Sequence, residues 1–468
     1  MSPERPRRPR RRILIGLAAL IIVLVGAGVV FALTRGGDVS NPDVEFRAEP
    51  TQTPVPDGSP PKRRTGPRAD PLARFAWPDY GYTKDRRRYL PANFRVRPPF
   101  RRVWSRADTA LLEFPPILVG SRLFQINNTG HVEALSKAKG KILWRKRIGT
   151  LAASSPGYGG GRIYVTLLTR AGSAAGRVVA MRPRDGKLVW SRPLPARAES
   201  SPLYERRRIY FGSESGTIYC LDAATGATKW TFQAAGPVKA SLALSGGRLY
   251  FGDYGGRVYA VRASDGHLAW RSTTHGSRFG FGSGNFYSTA AVAFGRVYVG
   301  NTDGSMYSFA ADSGRLAWST STGAYVYSSP AVAQVPGGQP TVYFGSYDGS
   351  FYAVDARSGA RRWSFRSGGR ISGAPTVVGN IVYFSDSGQR TTTALNAVSG
   401  RKVWAFPKGA FNPVISDGRT IFLTGHSTQY ALRPKGIKAG AVPKPTTARD
   451  VRRKRAAAQG HGHHRKTG

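Results

Sequence analysis

Residues 208–230 decide the fold, and they read RIYFGSESGTIYCLDAATGATKW. Two runs rich in Ile, Tyr and Phe are separated by a Ser-Gly pair, and a Thr-Gly pair comes shortly before the tryptophan. Aromatic and β-branched residues favour strands, and glycine accepts the positive φ of tight hairpin turns. The stretch therefore predicts three short strands joined by two turns, and the small residues at 200–202 predict one more strand before them.

The same pattern recurs along the chain with a near-constant period. It returns as RLYFGDYGGRVYAVRASDGHLAW at 248–270 and as TVYFGSYDGSFYAVDARSGARRW at 341–363. Eight tryptophans, 40 to 48 residues apart, mark the copies: Trp104, Trp144, Trp190, Trp230, Trp270, Trp318, Trp363 and Trp404. Four short strands in every such interval are typical of the blades of a β-propeller, and a single blade cannot bury both of its faces. The sequence thus predicts an all-β ring.

Each end of the repeat array holds part of one blade. The last unit, 412–432, has no tryptophan after it, and Trp104 has no complete unit before it. A strand at 101–105 that completes the last unit would close the ring and remove an open sheet edge. We therefore predict a monomeric eight-bladed β-propeller over residues 101–433, with four-stranded blades and a closure made by the N- and C-terminal strands.

An uncharged, apolar run at 13–33 predicts one transmembrane helix, because about 20 such residues span the hydrocarbon core. Residues 1–12 contain six arginines, and the positive-inside rule places this basic tail in the cytoplasm. The prediction is a single-pass protein of the cell membrane with an extracytoplasmic propeller. The alternative is a cleaved signal peptide, whose apolar region is normally about 7–15 residues long.

Three further segments complete the predicted organisation. Residues 34–74 are rich in proline and predict a linker that spaces the propeller from the membrane. Residues 75–100 contain several aromatic side chains and predict a lead-in segment that packs on the propeller. Residues 434–468 are basic, contain three histidines and predict a disordered tail.

The formal net charge of +44 bears on partners and not on the fold. The first 12 residues carry a net +5 and residues 433–468 a net +10, so the propeller is basic as well. The positive charge favours envelope proteins, anionic polymers or lipid head groups as partners, although a general bias towards arginine would give the same charge. No sequence signature of a nucleic-acid-binding module is present, so no specific nucleic-acid binding is expected.

The repeats resemble the PQQ-like propeller family, which includes quinoprotein alcohol dehydrogenases and BamB-type assembly factors. The dehydrogenases of that family use PQQ with calcium held by Glu and Asn, a catalytic Asp and two adjacent cysteines. This chain has one cysteine, Cys220, and no glutamate after Glu214. We therefore predict no cofactor, no metal and no catalytic residue. The favoured function is a BamB-like, membrane-anchored binding scaffold, and the alternative is a quinone-dependent dehydrogenase or a ligand sensor binding in the funnel.

The longest interval between tryptophans contains the loop that we predict to bind a partner. It links the outermost strand of one blade to the innermost strand of the next, and such connections line one mouth of the ring. Aromatic and cationic side chains are enriched at binding surfaces. The candidate residues are His275, Arg278, Phe279, Phe281, Asn285 and Tyr287, joined by Tyr325 and Tyr327 of the next connection. The alternative is a long loop that packs over its neighbours.

Overall fold

The computed structural model of this protein describes residues 38–49, 75–92, 96–168, 175–274 and 284–436. Strands and turns make up these residues, as the all-β prediction requires. Within the described ranges there is no helix that is long and apolar enough to cross a membrane. The predicted span at 13–33 lies outside them, and so does the tail after residue 436.

Eight sheets of four or five strands form the blades of the propeller. Four strands precede blade 1, namely β1 (Val39–Ser40), β2 (Ala76–Trp77), β3 (Tyr89–Leu90) and β4 (Phe100–Ala107). Blades 1 and 2 contain β5 (Ile117–Val119), β6 (Arg122–Ile126), β7 (His131–Ser136), β8 (Ile142–Arg147), β9 (Gly157–Gly159), β10 (Arg162–Leu167), β11 (Gly176–Met181) and β12 (Leu188–Leu194). Blades 3 and 4 contain β13 (Leu203–Glu205), β14 (Arg208–Gly212), β15 (Thr217–Asp222), β16 (Thr228–Gln233), β17 (Ala243–Ser245), β18 (Arg248–Gly252), β19 (Arg257–Arg262) and β20 (Leu268–Thr273).

The second half of the ring repeats this arrangement. Blades 5 and 6 contain β21 (Ala291–Ala293), β22 (Arg296–Gly300), β23 (Ser305–Ala310), β24 (Leu316–Ser321), β25 (Ala331–Ala333), β26 (Thr341–Gly345), β27 (Ser350–Asp355) and β28 (Arg361–Arg366). Blades 7 and 8 contain β29 (Thr376–Val378), β30 (Ile381–Asp386), β31 (Thr391–Asn396), β32 (Lys402–Phe406), β33 (Val414–Ser416), β34 (Ile421–Thr424) and β35 (Thr428–Pro434). The first strands of neighbouring blades contact one another, so they are the innermost strands around the axis.

The ring is closed by the two ends of the repeat array, as predicted. Strand β4 pairs antiparallel with β35 and becomes the outermost strand of blade 8. Trp104 lies opposite Ala431 in this pair, in the register that Trp230 and Cys220 have in blade 3. The cysteine therefore occupies a slot in which other blades have Ala or Ser. Its side chain is buried in the core of blade 3, against which Trp230 packs.

Seven of the eight repeated tryptophans pack against a glycine of the next blade. The indole N–H of Trp104 donates to the carbonyl of Lys137 in blade 1, at 2.9 Å. The same ring packs on Gly140, where an added Cβ would lie 2.6 Å from it. Gly140 has a positive φ of 66°, so both the turn and the contact require glycine. Trp144, Trp190, Trp230, Trp270, Trp318 and Trp363 meet a positive-φ glycine of the following blade in the same way.

Residues 38–49, which we call the strap, pack on blade 5, although we predicted a spacer over 34–74. Strand β1 adds to the outer edge of the blade and pairs with β24. The buried side chain of Arg296 donates to the carbonyls of Val44 and Glu45. Phe46 stacks on Phe294 with ring centroids 5.6 Å apart. Unpaired backbone groups at the blade edge and two apolar side chains hold this segment, which proline content alone does not reveal.

Residues 75–92, which we call the plug, run across the axis of the ring. Strand β2 pairs with β5 of blade 1, and β3 pairs in parallel with β29 of blade 7. Between them, carbonyls of the plug accept hydrogen bonds from inner strands of blades 2, 4, 5 and 6; the donors are Tyr158, Leu244, Val292 and Val332. The side chain of Lys84 pairs with Glu205 of blade 3. The lead-in segment thus connects seven of the eight blades at the axis.

Candidate functional site

A cavity of about 210 Å³ lies on the axis of the ring, above the plug. Its walls come from the connections between blades, and Tyr80 of the plug lies at its base. The wall residues Ser241, Thr289 and Ser329 each precede by three residues a position that donates to the plug. The plug therefore closes the lower end of the cavity, and the connections surround its open mouth. We call this cavity the funnel.

One position of the repeat supplies much of the funnel wall. A belt of hydrogen bonds fixes its level: the backbone N–H of Ser201 donates to the hydroxyl of Ser241, and that of Ser241 to the hydroxyl of Thr289, at 3.0 and 3.1 Å. The residue two positions before each belt residue faces the funnel. In successive blades this residue is Glu199, Lys239, Tyr287, Tyr327 and Ser372. A regular backbone thus presents a different side chain from each blade.

The structure brings together three of the eight predicted site residues. Tyr287 and Tyr327 line the funnel, and their rings meet edge to face at 5.5 Å. Tyr325 lies at the mouth, 52% exposed, and contacts Tyr327. Asn285 instead holds its own loop, because its N–H donates to the hydroxyl of Thr302. His275, Arg278, Phe279 and Phe281 lie outside the described residues.

Five tyrosines from blades 4 to 6 and the connections between them form a continuous arc at the mouth, which we call the tyrosine arc. Starting in blade 4, the arc consists of Tyr254, Tyr287, Tyr327, Tyr325 and Tyr347. Neighbouring rings have centroids between 4.9 and 6.3 Å apart. Such contacts between rings hold aromatic side chains in fixed positions.

A small network of charges completes the wall beside the arc. Lys239 is 3.1 Å from a carboxylate oxygen of Glu199 and 3.1 Å from one of Glu214. Arg197 lies 3.7 Å from Glu214. The hydroxyl of Tyr287 donates to Glu199 at 3.4 Å, which joins the charges to the tyrosine arc. Glu113, a further carboxylate in the funnel wall, has no cationic partner among the described residues.

Burial changes the proton affinities of these groups. Burial and the hydrogen bond with Glu214 together raise the pKa of Glu199 to about 7, although Lys239 opposes the shift. Burial also raises the pKa of Glu113 and of Tyr287. The phenol of Tyr287 is therefore a neutral hydrogen-bond donor at physiological pH. A carboxyl whose pKa lies near neutrality, as that of Glu199 does, is a common property of ligand-binding sites.

Sequence reasoning missed Glu113, Glu199, Lys239, Tyr254 and Tyr347. The two tyrosines lie in turns between the second and third strands of their blades, two residues after the glycine that ends β18 or β26. Glu214 has the same position in blade 3. An alignment of the internal repeats would have revealed this turn position and the wall position as the two places where polar and aromatic residues interrupt the pattern.

Glu and Asn, the residue types that hold calcium in the dehydrogenases, both line the funnel, and Glu199 and Asn412 have partners within the protein. The side-chain oxygen of Asn412 already accepts hydrogen bonds from Tyr80 and from the N–H of Ala374, at 3.2 and 3.1 Å. Lys239 forms an ion pair with Glu199 at 3.1 Å. No group of three His, Cys, Asp or Glu residues suited to a metal occurs in the described part of the chain. Cys220 is buried within blade 3, and burial raises the pKa of its thiol to about 11.

The fold is similar to that of several solved structures. BamB from Moraxella catarrhalis is 16% identical, with a TM-score of 0.58, and the match covers 74% of this chain and all of that one. Quinohemoprotein alcohol dehydrogenase ADHIIG from Pseudomonas putida HK5 is 14% identical, with a TM-score of 0.64 and coverages of 82% and 85%. The computationally designed protein Ika8 is 14% identical, with a TM-score of 0.57 and coverages of 71% and 98%.

The family is shown by the sequence itself. No curated protein matches the chain. A family model described as outer membrane protein assembly factor BamB matches residues 128–280, 265–335 and 326–444, which together span most of the propeller. These are the repeats that lock through their tryptophans in the structure. The chain therefore belongs to the PQQ-like propeller family described as outer membrane protein assembly factor BamB.

Proposed function

We propose that this protein is a binding scaffold of the cell envelope, and that the mouth of the funnel is the surface that receives its partner. The observation that carries the proposal is the tyrosine arc. Its rings contact one another, Tyr325 is 52% exposed at the mouth, and tyrosine is among the residues that dominate the energetics of protein interfaces. The relative named as an assembly factor belongs to the same family, which supports a role in protein assembly for this chain.

The outside of the propeller provides a suitable contrast to the mouth. Leu188, on the outermost strand of blade 2, is 52% exposed, the same fraction as Tyr325. Single exposed apolar residues are normal on protein surfaces, whereas a contiguous aromatic surface marks an interaction site. Equal exposure with different surroundings makes these two positions a matched pair for an experiment.

Site-specific photo-crosslinking tests the proposal. A photoreactive phenylalanine derivative is placed at Tyr325 in one version of the full-length protein and at Leu188 in the other, and both are irradiated in intact cells. We expect one discrete crosslinked species from position 325 and none from position 188. Equal crosslinking from both positions, or none from position 325, would refute the mouth as the binding surface.

We further propose that the predicted helix at 13–33 anchors the scaffold, with the propeller outside the cytoplasm. Residues 34–37 would then be the only link between the membrane and the strap. An extended residue spans about 3.3–3.6 Å, so blade 5 would lie close to the bilayer. The basic charge of the chain would favour contact with anionic lipids or wall polymers there. Protease accessibility of the propeller in spheroplasts, compared with inside-out vesicles, tests this topology.

A further inference from the structure

The funnel wall differs in charge from the molecule as a whole. The chain carries a formal +44, yet the cavity is lined by two carboxylates, Glu113 and Glu199, and one ammonium, Lys239. Glu214, just behind the wall, pairs with that ammonium and with the guanidinium of Arg197. A positive patch on the surface attracts anions, but a ligand inside the funnel meets carboxylates. The funnel is therefore suited to a cationic ligand, whereas the net charge of the whole chain favours anionic ones.

The rings around the funnel already contact cations of the protein itself. The ammonium of Lys239 lies 5.5 Å from the centroid of Tyr254. The guanidinium of Arg370 lies 5.7 Å from that of Tyr347. Both distances are within the range in which the negative face of an aromatic ring attracts a cation. Tyr287 and Tyr327, which lie between these two contacts in the arc, have no such cation over their faces among the described residues.

The base of the funnel is suited to the apolar part of a ligand. Tyr80 of the plug meets Phe114 edge to face, with centroids 5.5 Å apart, and both rings line the cavity. The hydroxyl of Tyr80 is held by Asn412, so this base is fixed in place. A volume of about 210 Å³ accommodates one side chain or a small molecule, and not a folded segment.

We propose that the funnel binds a primary alkylammonium group, with the charge held between Glu113, Glu199 and the tyrosine faces, and the alkyl stem against Tyr80 and Phe114. This proposal deepens the function proposed above and depends on the mouth being the binding surface. A lysine side chain of a protein partner and a small free amine share this chemistry. Neither requires a covalent step, and the charge on the carboxylates is the feature that selects them.

Calorimetric titration of the full-length protein in a non-ionic detergent tests the ligand class. Pentylammonium is compared with pentanol, which has nearly the same shape and no charge. We expect pentylammonium to bind at least about tenfold more tightly, since a difference of about 1.4 kcal/mol corresponds to a factor of ten. Equal binding of the two compounds, or no binding of the ammonium, would overturn the proposal.

A second titration separates the two sources of the ammonium. Nα-acetyl-lysine methylamide carries the amides of a peptide backbone in addition to the alkylammonium. Tighter binding than pentylammonium assigns a lysine side chain as the ligand, and equal or weaker binding assigns a free amine. Photo-crosslinking at Tyr325 together with no ammonium binding would leave the proposed function intact and refute only the ligand class.

Variants locate the charge that is responsible. The substitution Glu113→Gln keeps the shape of the side chain and removes its charge, so we expect affinity for pentylammonium to fall about tenfold. The matched control is Glu205→Gln, because Glu205 pairs with Lys84 of the plug and is not part of the funnel wall. The affinity of the Glu205→Gln variant for pentylammonium should equal that of the unmodified protein. A loss of affinity in both variants, or in neither, would contradict the proposed role of Glu113.

Discussion

The strap and the plug are both short extended segments N-terminal to the ring, but they attach to it at opposite radii. The strap adds one two-residue strand to the outer edge of a single blade and passes beneath blade 5. The plug contacts inner strands of seven blades. An outer edge belongs to one blade, whereas the axis is shared by all of them. The effect of a substitution should therefore depend on radius as well as on burial.

Charged side chains show the same contrast. Arg47 of the strap pairs with Asp312, and both side chains are more than half exposed. Arg86 and Arg88 of the plug are completely enclosed and donate mainly to backbone carbonyls. An exposed pair contributes little to stability, while a buried charge that loses its partners is costly. The two segments meet at one ion pair, between Glu49 of the strap and Arg87 of the plug.

The largest effect should come from Arg86→Ala. The side chain donates to the carbonyls of Leu242 and Tyr80, at 2.8 and 2.5 Å, and lies 4.0 Å from the buried carboxyl of Asp79. Its removal leaves all three groups without this partner, and we expect the free energy of unfolding to fall by about 3–5 kcal/mol. Chemical denaturation measures the loss. A loss below about 1 kcal/mol would show that the plug does not hold the blades together.

The plug should also make the stability of the protein dependent on pH. Burial raises the pKa of Asp79 to about 6, against an ordinary value of 3.8, although Arg86 and Lys84 oppose the shift. The folded state therefore binds the proton more tightly than the unfolded state. This contribution is complete below about pH 3.8 and is lost as the pH rises through 6. We expect Asp79→Asn to remove this decline, measured as the difference in unfolding free energy between the two proteins from pH 4 to 7. Parallel curves would exclude it.

The repeat made the ring predictable, but it did not indicate which residues form the wall of the funnel. Tryptophans at a constant period require radial blades, and Trp104 without a unit of its own identified the closing strand. The wall residues Glu199 and Lys239 interrupt otherwise regular connections, one residue in each blade. Their proximity arises only when neighbouring blades pack together, because they are 40 positions apart in the chain.

The two N-terminal segments were harder to predict for a different reason. Neither has a periodic pattern, because each residue of the plug meets a different blade and the strap contributes only two residues to a sheet. Val44 and Phe46 were the available signals, as apolar residues within a proline-rich stretch. Tyr287 and Tyr327 were found because loop length and aromatic content are visible in sequence, whereas the turn tyrosines are hidden within a normal hairpin.

A smaller effect is expected from Val44→Ala in the strap. Val44 is buried against blades 5 and 6, and burial of each methyl group is worth about 0.8 kcal/mol, so the loss should be about 1–2 kcal/mol. The matched control is Val103→Ala, an identical change at a residue that is 36% exposed on the outer strand of blade 8. Chemical denaturation should separate the two variants. Equal losses would show that the strap contributes no more than any outer surface.

The smallest effect is expected from Arg47→Ala, and it completes the contrast with Arg86. The pair with Asp312 is exposed to water and salt, and Asp312 also accepts a hydrogen bond from Arg248 at 3.2 Å, so it keeps a cationic partner. We expect a change within about 0.5 kcal/mol, and a smaller one in high salt, because exposed charges are screened. Thermal unfolding at low and high ionic strength measures both. A loss comparable to that of Arg86→Ala would mean that attachment at the rim stabilises the ring as strongly as attachment at the axis, because both substitutions remove one arginine from an N-terminal segment.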